Sequence, residues 1–305
     1  MGAGTHPRCR FTRGIKLCKI INEYYMNNED FKRIFYENSK TFSLASKFFD
    51  ERLFVNISKL YYVCRCIDDI ADNVKETINP EYELTNLQID FDNNNIDNDI
   101  VSIFHSIENK VNKKHILKLI DGAKSDINFT PYETIDQLLN YCHKVAGVVG
   151  IMFCEILGID DKNALIKAND LGIAMQLTNI MRDIFEDANM GRVYLPHELF
   201  GKINPYDINI QNKDVVDKIY SEKIDQIYNI AETKYLSGIS GLKFLNYNHK
   251  FIVYISSNMY REIGNKIIKN KKSYSSGKRS YVPFLKKIEL IIKCFFQIFL
   301  WKVKI

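Results

Sequence analysis

Apolar residues recur at helical spacing along nearly the whole chain, and this periodicity restricts the fold more than any other feature. The 305 residues include only 6 Pro and 14 Gly, so long helices are allowed almost everywhere. Strand-like alternation is scarce. Hydrophobic residues make up 46% of the chain, which is enough for a large core. We therefore expect an all-α protein, a bundle of roughly eight helices with short connections.

The periodicity also places the individual helices. The Asn-rich, polar stretch 88–99 is expected to be a loop. Residues 21–305 are expected to form a single helical domain. The predicted helices cover residues 21–37, 55–77, 100–126, 132–158, 161–189, 213–237 and 249–270, with an amphipathic C-terminal helix near 288–301.

The net charge is +5, but both ends are basic and the middle is acidic. Residues 1–20 contain no acidic side chain and form a basic N-terminal extension, which suits either a targeting segment or a loose terminus. Basic ends suit an anionic or membrane surface, although solvated helix faces have the same composition. The seven Cys form no CxxC pair, which indicates reduced thiols in a cytosol-like compartment.

The C-terminal segment 288–301 is the most apolar part of the chain, but Glu289 and Lys293 interrupt it. We therefore predict no membrane-spanning helix. Two arrangements stay open for this segment: it lies on a membrane surface as a peripheral contact, or it docks on the protein's own body.

Two segments carry aspartates four residues apart, Asp68 with Asp72 and Asp183 with Asp187. On a helix such residues share one face. Residues 171–185 are otherwise mostly apolar, so that helix should be buried, and buried carboxylates are costly unless paired or bound to a metal. Oxygen ligands favour Mg²⁺, which binds through carboxylates and substrate phosphates. One such pair would suit a solvated helix face, but two predict facing acidic helices that hold Mg²⁺ around a diphosphate.

Neighbouring polar residues support this interpretation. Gln176 and Asn179 extend the polar stripe of the second helix, and Arg65 and Arg182 stand beside the aspartates. Guanidinium groups suit bidentate contacts with phosphate oxygens.

Other kinds of site are missing essential positions. The stretch beginning at Asp90 lacks the Gly and Glu of an EF-hand, and His197–Glu198 lacks the second His of a zinc protease. The chain has no glycine-rich nucleotide motif. We expect no nucleic-acid partner, since that function would depend on the basic tail alone. The sequence does not indicate an oligomeric state.

Six stretches distributed over most of residues 38–283 carry the remaining signal. They are NSKTFSLASKFF (38–49), YYVCRCIDDIADN (61–73), YCHKVAGVVG (141–150), LGIAMQLTNIMRDIFEDANMGRVYLP (171–196), MYREI (259–263) and KRSYVP (278–283). Together, the last two more loosely, they resemble the squalene/phytoene synthase family, most closely its phytoene and dehydrosqualene synthases. The resemblance implies an all-α isoprenoid-synthase fold with a central tunnel. It also implies a two-step, head-to-head condensation of two prenyl diphosphates through a cyclopropyl diphosphate.

The same resemblance implies roles for individual residues. Two or three Mg²⁺ ions would be held by Asp68, Asp72, Asn179, Asp183 and Asp187. The reaction chamber would be lined by Tyr141 and Tyr194, although core packing is the alternative for Tyr61, Tyr141 and Tyr260. The diphosphates would be held by Asn38, which replaces a frequent His, and by Ser39, Lys40, Thr41, Tyr61, Arg65, Gln176, Arg182, Tyr260 and Arg279.

The product depends on the length of the tunnel, which the sequence leaves open. We expect two geranylgeranyl diphosphates to give phytoene, since phytoene synthases are the commonest close relatives. Farnesyl diphosphate with dehydrosqualene or squalene as product is the alternative, and only squalene would need NADPH. A non-catalytic assembly factor on this fold and a terpene cyclase are the rivals from other classes. The candidate stops are Phe42, Phe48, Phe49, Met152 and Phe153, against the small Ala45, Ala146, Gly147 and Gly150.

Overall fold

The computed structural model describes residues 26–39, 46–72, 79–108, 111–271 and 280–300. These residues form helices and turns and contain no strand, so the all-α prediction is confirmed. The predictions for residues 1–20, Lys40, Thr41, Phe42, Ala45 and Arg279 lie outside the described residues.

The α-helices are numbered in chain order, and short 3₁₀ turns lie at Ser46–Phe48, Pro205–Asp207 and Gly241–Phe244. In the N-terminal half the helices are α1 (Asn28–Asn38), α2 (Glu51–Asp72), α3 (Pro80–Asn93), α4 (Asp99–His105), α5 (Lys113–Ile127), α6 (Ile135–Cys142) and α7 (Val148–Ile156). In the C-terminal half they are α8 (Lys162–Arg182), α9 (Ile184–Asn189), α10 (His197–Phe200), α11 (Lys213–Ile219), α12 (Glu222–Ser240), α13 (Tyr247–Lys269) and α14 (Phe284–Leu300).

The prediction of a loop over residues 88–99 is right only for residues 94–98, because α3 continues to Asn93 and α4 begins at Asp99. Its sparse apolar residues lie on one face, where Leu84, Leu87 and Phe91 are buried. Asn79 caps the start of the helix and Pro80 occupies its first turn. The helix ends at Asn94, whose φ of 52° is left-handed. The asparagines therefore cap and end a helix here.

Some predicted long helices are interrupted. The segment 100–126 is divided between α4 and α5, because Asn112 caps a new start by accepting a hydrogen bond from the Lys114 amide. Ser221 caps α12 in the same way within the segment 213–237. A π-helical turn, His143–Gly147, joins α6 to α7. The segment 161–189 breaks at Asp183, whose φ and ψ of −105° and 16° are not helical.

Two hydrophobic cores organise these helices. The first core is formed mainly by α1 to α5 together with α7. The second core is formed by α6, α8, α9 and the helices from α11 to α14. Helix α8 packs against α7, α12 and α13 and so lies at the centre of the molecule.

Glycines allow α8 to pack closely against α7 and the π-helical turn. A Cβ atom on Gly172 would lie 2.3 Å from the carbonyl oxygen of Ala146, and one on Gly150 would lie 2.4 Å from that of Ala168. Both distances are far below van der Waals contact, so only glycine fits at these crossings.

Helix α14 docks on α13, and Leu290, Cys294 and Ile298 are buried on its inner side. Of the two arrangements left open for the C-terminal segment, the structure therefore contains the docked helix. Within the described ranges, no helix combines the length and the apolar character needed to cross a bilayer.

Candidate active site

A cavity of about 1560 Å³ extends between the two cores. It is larger than the roughly 300–1,000 Å³ of ordinary ligand pockets. Side chains from α2, α7, α8 and α13 form its wall. One part of the wall carries acids, amides and arginines, and the rest is largely apolar. Such a cavity suits a long apolar molecule with a charged end.

Helix α2 contributes the first group of acids. Asp68 reaches the cavity, and burial by the protein around it raises its pKa to about 7. Asp69, which was given no role from the sequence, is buried and pairs with Arg65 at 2.6 Å. Asp72 pairs with Arg192 at 2.7 Å. Two of the three carboxylates are therefore held by arginines.

Helix α8 and the break after it contribute the second group. The Nδ2 of Asn179 donates to Oε1 of Gln176 at 3.2 Å, while its own Oδ1 is buried without a hydrogen-bond partner. Arg182 forms two contacts with Asp183, at 2.8 and 2.5 Å. Burial, followed by the charge of Asp183, raises the pKa of Asp187 to about 8.

The donors fit a magnesium site in their chemistry. All the candidate ligands offer oxygen, which Mg²⁺ prefers. The orphaned oxygen of Asn179 is costly unless a ligand meets it. Burial raises the pKa values of Asp68 and Asp187 although Arg65 and Arg192 oppose the shifts, so a bound divalent cation would favour the ionised carboxylates. In the part of the chain that the structure describes, no three His, Cys, Asp or Glu side chains yet converge closely enough to hold a metal by themselves.

Asp126, at the end of α5, joins side chains from distant parts of the chain. Its carboxylate accepts hydrogen bonds from Tyr141 at 2.9 Å and from Tyr194 at 2.8 Å. The two phenol rings stack with their centroids 5.0 Å apart. Burial raises the pKa of Asp126 to about 6, although the hydrogen bond from Tyr194 opposes this shift.

Arg192 connects this group to α2. Its side chain is buried, and it donates to the carbonyl oxygen of Asp126 at 3.0 Å and to that of Ala71 at 3.3 Å, besides pairing with Asp72. Sequence reasoning gave no role to Asp126 or Arg192. Arg192 lies in the longest matching stretch, which was a usable signal, whereas Asp126 has no spacing or motif that marks it.

The cavity contains most of the residues predicted to bind diphosphate. Burial raises the pKa of Tyr61 to about 12, so its phenol stays neutral. Tyr141 and Tyr194, expected along the chamber, and Asp183 and Asp187 are not in the cavity wall. The predicted residues that line the wall are Asn38, Ser39, Tyr61, Arg65, Asp68, Asp72, Gln176, Asn179, Arg182 and Tyr260.

The structure also shows which of the residues expected to limit the length of the tunnel face the cavity. Phe49, Phe153, Ala146 and Gly150 line the cavity. Met152 is buried in the core, away from the cavity. Gly147 is also outside the cavity wall and packs against the side chain of Asn169. Phe48 is 47% exposed on the outer surface.

Comparisons with known proteins agree with this architecture. The sequence profile of the family described as squalene/phytoene synthase matches residues 36–286. A 15-cis-phytoene synthase of Pantoea ananas is 32% identical over 250 residues, which cover 75% of this chain and 78% of that protein. A 4,4'-diapophytoene synthase of Staphylococcus haemolyticus is 28% identical over 271 residues, covering 84% and 91%. The crystal structure of a dehydrosqualene synthase with a ligand superimposes with a TM-score of 0.74 at 24% identity, covering 88% of this chain and 95% of that one.

Proposed function

The chain belongs to the squalene/phytoene synthase family, and we propose that it joins two geranylgeranyl diphosphates head to head to give phytoene. One allylic diphosphate ionises, its cation alkylates the second molecule, and a proton is lost as the cyclopropyl diphosphate forms. This intermediate ionises in turn, rearranges and loses a second proton. The products are one hydrocarbon, two diphosphates and two protons, so no reductant is consumed.

The observation that carries this proposal is one cavity with a charged part and a long apolar part. Ionising an allylic diphosphate requires the charge that develops on the leaving group to be neutralised. Arg65 and Arg182 line the charged part, and their pairing with Asp69 and Asp183 fixes the planes of the guanidinium groups.

We assign Asp68, Asp72, Asn179, Asp183 and Asp187 to Mg²⁺. When bound, the metal would supply the remaining positive charge at the leaving group. The unpaired Oδ1 of Asn179 and the crowded carboxylates support this assignment. The pairing of Asp72 with Arg192 and of Asp183 with Arg182 means that both carboxylates must share or exchange these partners when a metal binds.

The apolar part of the cavity protects the carbocation. Leu171, Val149, Phe49 and Phe153 line it, and they offer no nucleophile. Exclusion of water prevents hydrolysis of the cation, and aromatic rings can stabilise its positive charge.

The choice of the C20 substrate is supported by the relatives. Several relatives at 30% identity or more are phytoene synthases, including the one from Pantoea ananas. The resemblance to a 4,4'-diapophytoene synthase keeps the C15 substrate as the alternative.

The deciding experiment compares turnover of the C15 and C20 diphosphates, each with and without NADPH, followed by analysis of the extracted hydrocarbon. We expect phytoene from the C20 substrate, dependence on Mg²⁺, and no effect of NADPH. A preference for the C15 substrate would replace phytoene with dehydrosqualene as the product. A requirement for NADPH would indicate squalene, and no turnover of either substrate would indicate the non-catalytic alternative.

A further inference from the structure

Helix α14 is apolar on both of its sides. Its inner residues are buried against α13, whereas much of the rest of the helix remains in contact with solvent. Exposed Glu289 and Lys293 lie between six exposed positions that carry large apolar side chains. These six positions are Phe284 (66% exposed), Leu285 (80%), Ile288 (37%), Ile292 (52%), Phe295 (48%) and Phe296 (57%). We call this set the outer face of α14.

The outer face is unusual for a protein surface in contact with water. Single exposed apolar residues are common, but a continuous patch of this kind marks a contact with a protein or a membrane. The helix is too polar at Lys286, Lys287, Glu289 and Lys293 to span a bilayer, so a contact along its length is the arrangement that suits it.

The outer face is continuous with the cavity. Tyr281 and Lys287, in and beside the first turn of α14, line the cavity. At the other side, the ring of Phe251 packs against those of Phe48 and Phe295, with ring centroids 5.1 Å and 6.0 Å apart. Phe49, the neighbour of Phe48, is part of the cavity wall. The outer face therefore borders the cavity wall.

The charges around the outer face select one kind of partner. Helix α14 itself carries Lys286, Lys287 and Lys293 against the single acid Glu289, which pairs with Lys286. Lys266, whose Nζ donates to the carbonyl oxygen of Tyr281, adds a further positive charge beside the start of α14. A second copy of this chain would bring the same lysines face to face, which is unfavourable. An anionic lipid surface would attract them and accept the apolar side chains between them.

We propose that the outer face of α14, with Phe48 beside it, docks the protein on an anionic membrane surface next to the cavity. The docking itself is independent of the proposed function. The purpose of the docking rests on that function, because a hydrocarbon product insoluble in water would pass from the cavity to the adjacent bilayer.

The test is co-sedimentation of the full chain with vesicles of phosphatidylcholine alone, and of phosphatidylcholine with phosphatidylglycerol. The variant is Ile292→Asn, and the matched control is Ile166→Asn, which changes a similarly exposed residue (56%) on α8. We expect wild type and the control to bind the anionic vesicles, more weakly as salt is raised. Ile292→Asn should bind the anionic vesicles at least tenfold more weakly than wild type. This corresponds to a loss of about 1.4 kcal/mol in binding free energy.

Turnover of detergent-dispersed substrate separates docking from catalysis, since Ile292 is not in the cavity wall. Unchanged turnover with lost vesicle binding supports the proposal. Equal binding of Ile292→Asn and wild type, or equal binding to neutral and anionic vesicles, overturns it. A concentration-dependent dimer that Ile292→Asn dissociates would assign the face to a second copy instead. Absent turnover with intact vesicle binding would contradict only the proposed function.

Discussion

At the scale of single residues, Asp126 joins distant parts of the chain through its hydrogen bonds with two tyrosines. Its partners Tyr141 and Tyr194 lie 15 and 68 residues further along the chain. No spacing rule connects positions so far apart. The aspartates of α2, by contrast, could be predicted because their separation of four residues fixes a shared face on any helix.

The pH dependence of stability should identify the buried carboxyl of Asp126. Its pKa is raised from 3.8 to about 6, so the folded state binds its proton more tightly than the unfolded state does. The stability from this group is present below pH 4 and is lost as the pH rises through 6. Compared with Asp126→Asn, wild type should therefore lose on the order of 2 kcal/mol in free energy of unfolding between pH 4 and pH 7. Urea unfolding at several pH values measures this difference, and parallel curves for the two proteins would contradict it.

Removal of the charge at Asp68 and at Asp183 should have opposite effects on the stability of the fold, although both changes reduce turnover. Asp68 faces the cavity, and its ionised form is disfavoured by burial. Metal-free Asp68→Asn should be at least as stable as wild type near pH 8, while turnover falls about a hundredfold or more. Asp183→Ala should also lose turnover, but it leaves the largely buried Arg182 without its carboxylate and should cost on the order of 3 kcal/mol. Equal stability of the two variants by urea unfolding would argue against this difference in pairing.

At the scale of the elements, periodicity predicted most of the helices but missed their interruptions. Apolar spacing continues through the break at Asp183 and through the turn His143–Gly147, because both preserve the buried side of the segment. Caps such as Asn112 and Ser221 are recognisable once a boundary is known, but the same residue types also occur within helices. The loop predicted over residues 88–99 was too long for a related reason, since its asparagines cap and end a helix.

The crossing of α8 with the π-helical turn should tolerate no side chain at Gly172. Gly172→Ala places a Cβ atom 2.3 Å from the Ala146 carbonyl oxygen and should destabilise the fold by about 1 to 3 kcal/mol. The matched control is Gly264→Ala on α13, where the nearest neighbour would be 3.4 Å away. That change should be neutral or stabilising by up to about 1 kcal/mol, since alanine favours helix. Thermal unfolding of both variants checks the prediction, which fails if their midpoints shift together.

At the scale of the whole molecule, the cavity between the cores should set the length of the substrate. Ala168 lines the cavity, whereas Ile166, two residues earlier on the same helix, points to solvent. Ala168→Phe should reduce turnover of the C20 diphosphate at least tenfold relative to the C15 diphosphate, because it fills space that the longer chain needs. Ile166→Phe is the control and should leave the ratio unchanged. A ratio that Ala168→Phe does not move would show that the chain ends elsewhere in the cavity.

The sequence could predict the charged part of this cavity but not its shape. Motifs on α2 and α8 placed acids, amides and arginines together, and the structure brings many of them to one wall. The apolar part depends on which of several large apolar residues face inward, as the different positions of Phe49 and Met152 illustrate. Side-chain direction at that level follows from tertiary packing, which periodicity does not contain.

The acidic helices belong to different cores: α2 to the first, α8 to the second. The contact of Arg192 with Asp72 already connects the two sides. A ligand held from both sides would be released whenever either core opened, so its binding energy would oppose the opening of each. Amide hydrogen exchange should then slow on ligand binding even in α3 and α12, which contribute no acid to the site. Two cores that open separately in the free protein would behave as a single cooperative unit while the ligand stays bound.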